Sequence, residues 1–411
     1  MKRLVITLGM HRSGTSLLSA ALEGIGVEYG GELIGPAPDN PKGFWEDRAV
    51  VALSERMYQG LGVTSSTLGV DCTRMDAGTR WRFQLQIARW LRTRLRGEGL
   101  LGLKDPRLPR LMDIWSPVLD RLDVDYWLLI PLRNPLSVAA SLTARDGFST
   151  CKGLLLWYEH MVRALQFSGG KRFVVVDYDR FLEQPEMVLG KVATWLGLQP
   201  DPRVLDRFRS EVFDPKLRHA AFDLEALERH PDSFPDLVRL YRALLALSIG
   251  QVHSCDQGVL RDIEQLNERF AELWPVLRQC GQWDLELWTT GKFCQQQEAR
   301  LQQCRDERLW REAELIAWIS TLEHTIQQQL SGREEAESWF RQAESGWREQ
   351  LKASVHRITC LSQNLDALQF HADGLQLRLD QTLASRSWRL TAPLRRCREW
   401  WGRLRVSSSS N

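Results

Sequence analysis

The first half of the chain alternates short apolar runs with longer amphipathic stretches. The apolar runs cover residues 4–8, 100–103, 126–132 and 172–176. Helical spacing of apolar residues follows them, over 15–24, 136–145, 154–167 and 186–196. Because strands that are apolar throughout must be buried on both faces, this order predicts a parallel sheet with helices on each side. The expected fold class is α/β, a three-layer domain over residues 1–220.

The second half of the chain is helical in pattern. Residues 221–290 read as a helical extension without recognisable chemistry. Residues 291–385 lack proline, and their apolar positions alternate in steps of four and three, as at Leu361, Leu365, Leu368, Ala372, Leu375 and Leu379. That spacing is typical of a coiled-coil seam and predicts self-association. A single amphipathic helix packed on its own domain is the alternative.

Residues 386–411 form a basic tail rich in arginine and tryptophan. The stretch RSWRLTAPLRRCREWWGRLR carries seven arginines against one glutamate, together with Trp388, Trp400 and Trp401. A segment of this composition can lie on an anionic membrane surface with its tryptophans at the interface. Docking of the tail on the coiled coil is the alternative.

Composition narrows the class of protein. A chain of 411 residues has room for two or three domains, and a net charge of +2 argues against general nucleic-acid binding. The eight cysteines form no C-x-x-C pair, so neither a zinc site nor a disulfide framework is expected. The apolar run after Met1 is too short for a signal peptide, and no window is long enough to span a membrane. We expect a cytoplasmic protein with reduced thiols and no bound metal.

The loop GMHRSGTS, residues 9–16, carries the strongest chemical signal. It departs from the phosphate-loop pattern G-x-x-x-x-G-K-[ST], because Thr15 occupies the lysine position and Arg12 supplies a cation earlier. A glycine-rich turn between a strand and a helix gathers backbone N–H groups at the positive end of the helix dipole. The loop therefore predicts an anion site. The missing lysine, and the lack of an apolar strand ending in a metal-binding aspartate, weaken an ATP-kinase interpretation.

At this point the sequence resembles a known family. GMHRSGTSLLS is similar to the 5′-phosphosulfate loop of sulfotransferases that use 3′-phosphoadenosine-5′-phosphosulfate (PAPS). PLRNPLSVAAS resembles their 3′-phosphate element, with Arg133 after a strand and Ser141 eight residues later. The resemblance covers residues 1–220 and implies PAPS as the donor. The residues that it implies for binding are His11, Arg12, Ser13, Gly14, Thr15, Ser16, Arg133 and Ser141.

Three further segments supply candidate chemistry. In the loop a cation stabilises charge on the leaving phosphate, and Arg12 is the candidate. The segment DNPKGFWED, residues 39–47, resembles a family segment that implies Glu46 as the general base; the alternative is a carboxylate at a helix N-terminus. In KDPR, the resemblance implies that Lys104 faces the sulfonate and Arg107 the cofactor or acceptor, against the alternative of a charged turn with an internal ion pair. Arg218, in LRH, is a candidate phosphate contact.

Together these features predict a PAPS-dependent sulfotransferase acting on a hydroxyl acceptor. The tail segment SRSWRLTAPLRRCREW resembles a motif at the ends of bacterial glycosyltransferases and surface-polysaccharide proteins, which implies a carbohydrate acceptor, from a surface polysaccharide or a glycolipid. Two alternatives stay open from the residues. One is a P-loop kinase or phosphotransferase, which would bind Mg·ATP. The other is a coiled-coil scaffold whose nucleotide domain is inactive.

Overall fold

The computed structural model describes residues 3–37, 40, 43–199, 222–248, 257–329 and 336–384. The chain divides into two compact units, Met1–Leu285 and Glu286–Asn411. The predicted phosphate contact Arg218 and the basic tail at 386–411 lie outside the described residues.

A parallel five-stranded sheet organises the first unit. Its strands are β1 (Arg3–Thr7), β2 (Val27–Glu28), β3 (Leu100–Lys104), β4 (Tyr126–Leu132) and β5 (Phe173–Asp177), in the order β2-β3-β1-β4-β5. The central strand β1 pairs Thr7 with Lys104 on one side and with Leu129 on the other. The carboxyl ends of β1, β3, β4 and β5 therefore meet at one edge, which is where parallel sheets bind ligands.

Helices cover both faces of this sheet. They are α1 (Thr15–Gly24), α2 (Arg48–Leu61), α3 (Ala77–Arg94), α4 (Leu108–Arg121), α5 (Pro135–Asp146), α6 (Thr150–Ser168), α7 (Tyr178–Glu183), α8 (Pro185–Trp195), α9 (Leu224–Arg229) and α10 (Pro235–Ala246). Several begin where a side chain accepts a hydrogen bond from a first-turn N–H, as Asp76, Asn134 and Ser149 do for α3, α5 and α6.

The two faces of β1 belong to two separate apolar cores. Leu4 and Ile6 pack in the larger core with helices α2 to α6, whereas Val5 packs in the smaller core with α1 and α8. Successive residues of a strand point to opposite faces, so one fully apolar strand contributes to both layers. The predicted three-layer α/β fold is confirmed.

Some elements escaped the sequence pattern. The short strand β2 and the helix α3 were not predicted from apolar spacing, because two residues are too few to show a period and α3 carries five arginines among its apolar positions. The helix predicted over 154–167 begins four residues earlier, since Ser149 caps it.

Two long helices make up the described part of the C-terminal region. They are α11 (Gln257–Gln329) and α12 (Ala336–Ala384), and the first of them includes residues of both units. Within the second unit, the ring of Trp318 in α11 lies 6.1 Å from that of Trp347 in α12. The seam residues from Leu361 to Leu375 are half-buried. Self-association through this region stays a prediction. Among the described helices, none combines the length and the apolar composition needed to cross a membrane.

Candidate active site

The glycine loop lies at the carboxyl end of the central strand β1 and leads directly into α1. Arg12 and Gly14 both have left-handed backbones, with φ of 68° and 83°. A Cβ on Gly14 would lie 2.2 Å from the ring of Tyr178, the first residue of α7. Glycine is therefore required at this position for two reasons, its backbone angle and the aromatic ring packed against it.

The loop offers polar groups that nothing in the described structure satisfies. Helix α1 begins without any side-chain capping bond, so its first N–H groups are available to an anion. The Ser13 hydroxyl is fully buried and has no hydrogen-bond partner among the described residues. Thr15 is also buried, and Ser16 at the first turn is half-buried. An unpaired buried hydroxyl beside free amides fits a phosphate or phosphosulfate group.

The second predicted element lies against the same loop. The Arg12 Nε donates to Ser141 Oγ over 2.8 Å, and the Arg133 Nη1 donates to the Arg12 carbonyl over 2.8 Å. The Arg133 guanidinium also lies 4.7 Å from the centre of the Tyr178 ring. Residues separated by more than 120 positions thus converge, and Arg133 lies well within reach of a nucleotide held by the loop.

A buried ion pair occupies the other side of the loop. The Lys104 Nζ donates to Glu46 Oε1 over 2.6 Å, to the Phe44 carbonyl over 2.8 Å and to Ser16 Oγ over 3.3 Å. Burial raises the pKa of the Glu46 carboxyl above its usual value, although the Lys104 ammonium opposes this. Burial also lowers the pKa of the Lys104 amine. The two groups are therefore closer in proton affinity than in water, which suits a carboxylate that takes up and releases a proton.

The neighbouring residue Asp47 performs the capping role that was the alternative for Glu46. Helix α2 begins at Arg48, and Asp47 Oδ1 accepts from the N–H groups of Ala49 and Val50 over 2.9 and 3.3 Å. Its other oxygen lies 3.5 Å from Arg94 of α3. Because Asp47 is the cap, the Glu46 carboxylate is left to turn towards Lys104.

Arg107 is held by carboxylates in the described structure. It contacts Asp105 Oδ1 at 2.8 Å and Glu55 Oε1 at 2.7 Å, and it lies 3.8 Å from Glu46 Oε2. The charged turn with an internal ion pair, which was the alternative interpretation, is therefore present for Arg107. For Lys104 the partner is Glu46 instead of Asp105.

His11, another predicted binding residue, is half-buried in the loop. Burial, and to a lesser extent the charge of Arg107, holds the pKa of His11 well below its usual value, so the ring is neutral at pH 7. Its Nε2 has no hydrogen-bond partner among the described residues. No cluster of three or more histidine, cysteine or acidic side chains in the described ranges is arranged to hold a metal ion.

Three residues at this site were not singled out from the sequence. Tyr178 packs on both Gly14 and Arg133, Glu55 holds Arg107, and the Asn40 side chain donates to Ser16 Oγ over 3.1 Å. The signal for Tyr178 was its position after a buried strand, at the edge where ligands bind. Asn40 belongs to the NPKGFWE segment, so its place in that motif was the available signal.

Asp177, which precedes Tyr178, provides a prediction for stability. Its side chain accepts from the Asp179 N–H at the start of α7, and burial raises its pKa from 3.8 to about 6. A raised folded-state pKa means that stability is present below about pH 4 and is lost as pH rises through about 6. We expect Asp177→Asn, which keeps the capping oxygen, to gain about 1–3 kcal/mol at pH 8 and nothing at pH 3.5. Denaturant unfolding at the two pH values measures the difference; an equal gain at both would contradict the titration.

Comparison with known proteins finds similar solved structures, among them two sulfotransferase domains. The chain matches no protein-family model and no curated protein sequence. The sulfotransferase domain from the Synechococcus PCC 7002 olefin synthase is 19% identical, with a TM-score of 0.33 over 66% of this chain and 96% of that one. The sulfotransferase domain from the curacin biosynthetic pathway is 16% identical, with a TM-score of 0.34 over 65% and 98%. At these values the similarity decides neither fold nor activity, and the α/β class rests on the parallel sheet itself.

Proposed function

We propose that this protein is a sulfotransferase that moves a sulfuryl group from PAPS to a hydroxyl acceptor. The observation that supports this most is the convergence of Arg12, Ser141 and Arg133 beside the uncapped N-terminus of α1. Two anion-binding elements at that separation match a nucleotide with phosphate groups at two positions of its ribose. A single phosphate loop would not require the second element.

The donor-binding residues form two groups, one for each phosphate position of the nucleotide. Arg133 presents a planar guanidinium, whose geometry suits a terminal phosphate. Arg12 contacts both other residues: its carbonyl accepts from Arg133, and its side chain donates to the Ser141 hydroxyl. The amides of α1 and the Ser13 hydroxyl bind the 5′ group. Arg12 contacts Ser141 in this structure, so it lies between the two anion positions.

The reacting groups are assigned to the other side of the loop. When bound, PAPS supplies a sulfuryl group whose departure leaves negative charge on a phosphate oxygen. Lys104, whose Nζ lies 3.3 Å from Ser16 Oγ, places a cation at the loop that lacks the usual lysine. Glu46 accepts the proton of the acceptor hydroxyl while the hydroxyl oxygen forms its bond to sulfur. Lys104 stabilises the Glu46 carboxylate before that proton transfer.

The acceptor in this proposal is a carbohydrate hydroxyl, from a surface polysaccharide or glycolipid. The resemblance of the tail to motifs of glycan-modifying proteins supports it. Self-association through the residues around 291–385, and peripheral contact of the tail with a membrane, belong to the same proposal. Size measurement by light scattering and vesicle flotation test these two points separately.

The position of Lys104 also favours one rival activity. An ammonium group beside Ser16, at the start of α1, can serve the β- and γ-phosphates of a nucleoside triphosphate. A kinase or phosphotransferase would bind Mg·ATP more tightly than adenosine 3′,5′-bisphosphate (PAP). Calorimetry with the two nucleotides distinguishes the activities, because only the sulfotransferase needs the 3′-phosphate.

The double variant Arg133→Ala with Ser141→Ala tests the donor site. We expect PAP binding to weaken about a hundredfold or more, because charge-assisted hydrogen bonds to one phosphate are lost together. The matched control, Arg172→Ala with Ser116→Ala, removes one arginine and one serine elsewhere in the first unit and should bind PAP normally. Calorimetric titration of both variants provides the measurement. Unchanged affinity in the first variant would rule out the assigned 3′-phosphate site.

A further inference from the structure

Helix α3 and the residues that follow it carry far more positive charge for their length than the chain as a whole. Residues 77–97 contain no acidic residue, whereas the entire protein has a net charge of only +2. The six arginines of this stretch are Arg80, Arg82, Arg89, Arg92, Arg94 and Arg96. A local excess of this size produces a strongly positive potential on one part of the surface.

Most of these arginine side chains are exposed to solvent. Phe83, Ile87 and Leu91 are buried in the larger core, so the apolar side of the helix is already used. Arg80 and Arg94 bond inward, to the Cys72 carbonyl and to Asp47. The remaining side chains form an exposed surface, here called the basic face: Trp81, Arg82, Leu85, Arg89, Arg92 and Arg96.

Within the part of the chain that the structure describes, the basic face forms no ion pair, although the charge of Arg82 is felt by Asp76 at the start of α3. No carboxylate lies within 4.0 Å of Arg82, Arg89, Arg92 or Arg96 among those residues. The neighbours extend the charge instead, because the exposed Arg56 donates to Gln86 and Arg121 lies 5.6 Å from the Trp81 ring. Arginines presented side by side without ion pairs are suited to carboxylate and sulfate groups, which they bind through two parallel hydrogen bonds.

Two sets of contacts join helix α3, through residues beside the basic face, to the candidate active site. Arg56 follows Glu55, which holds Arg107, and Arg107 in turn lies 3.8 Å from Glu46. At the other end of α3, Arg94 lies 3.5 Å from Asp47, the residue after Glu46. An extended ligand lying along α3 would therefore pass next to the start of α2, which the proposed general base Glu46 precedes by two residues.

From these observations we infer that the basic face binds an acidic polysaccharide, and that the acceptor is a chain bearing carboxylate or sulfate groups. This inference rests on the proposed function. The exposed indole of Trp81, half of whose surface is accessible, adds a flat apolar surface against which a sugar ring packs. A lipid bilayer is a poorer match, because membrane-surface helices insert an apolar face and that of α3 is already in the core.

The test measures binding of the full-length protein to immobilised alginate and dextran sulfate, with neutral dextran as the blank. The variant R89Q/R92Q/R96Q should bind both acidic polymers about tenfold or more weakly, and wild-type binding should fall as salt is raised. The matched control R300Q/R305Q/R357Q makes the same charge change on exposed arginines of α11 and α12 and should bind like wild type. Equal binding by the two variants would overturn the inference.

Binding to duplex DNA, to anionic vesicles and to PAP is measured as well. Tighter binding to duplex DNA, or to vesicles containing phosphatidylglycerol, than to either polysaccharide would also overturn the inference. PAP titration of R89Q/R92Q/R96Q should give wild-type affinity, which shows that the domain is folded. If wild type binds alginate through α3 but does not bind PAP, the sulfotransferase proposal fails while the polyanion surface stands; the reverse result rejects only the surface.

Discussion

Glu46→Gln is expected to slow sulfuryl transfer by about 10²- to 10⁴-fold while leaving PAP affinity unchanged. The amide keeps the shape of the carboxyl and can still accept from Lys104, but it cannot take the proton of an acceptor hydroxyl. A positioned general base contributes about this much to the rate of a proton-coupled step. The measurement is a single-turnover assay with radiolabelled PAPS, paired with PAP calorimetry on the same preparation.

Glu55→Gln is the control for this variant. Glu55 contacts Arg107, as Glu46 does at longer distance, but no bond from Lys104 to Glu55 is present among the described contacts. If charge around Arg107 were the property that matters, both glutamine variants would lose activity equally. If Glu46 is the base, only Glu46→Gln becomes slow. Loss of PAP binding by Glu46→Gln would instead assign Glu46 to donor binding.

Lys104→Met is expected to destabilise the first unit by about 3–5 kcal/mol at pH 8, because it leaves the buried Glu46 carboxylate with only Arg107, at 3.8 Å, as a cationic neighbour. Lys104 and Glu46 are only 2% and 7% exposed at their side chains, so water cannot replace the lost ammonium. In the variant the folded-state pKa of Glu46 stays above its unfolded value of about 4.3, so stability is present below that pH and is lost as pH rises. Urea unfolding at pH 5 and pH 8 should therefore show a smaller deficit at pH 5.

Two further variants show whether the buried carboxylate causes the loss of stability in Lys104→Met. Adding Glu46→Gln to Lys104→Met should restore much of the stability at pH 8, since the unpaired charge is then removed. Lys171→Met removes a lysine that is paired with Asp120 but is 39% exposed, and it should cost no more than about 1 kcal/mol. A deficit in Lys104→Met that does not change with pH would mean that lost packing, and not the buried carboxylate, causes it.

Local pattern was sufficient for four of the five strands of the sheet and for the position of the glycine loop. The apolar run at 126–132 and the helix at 15–24 have in the structure the bounds that their spacing predicts. Both features depend on neighbouring residues alone: a run without polar positions cannot be an exposed strand, and a glycine turn before a helix exposes N–H groups. The strand β2 was missed for the same reason: it has only two residues, which is too few to show a repeating pattern.

The partners of the charged residues were not available from pattern. The sequence alone determined the fold class, the position of the glycine loop as a candidate anion site, and the candidate residues Arg12, Glu46, Lys104 and Arg133. Only the tertiary structure decided that Lys104 pairs with Glu46 and not with Asp105, that Asp47 caps α2, and that Tyr178 supports both Gly14 and Arg133. Ion pairs and ring contacts join side chains from different strands, so they depend on strand order and register, which residue spacing within one element does not encode.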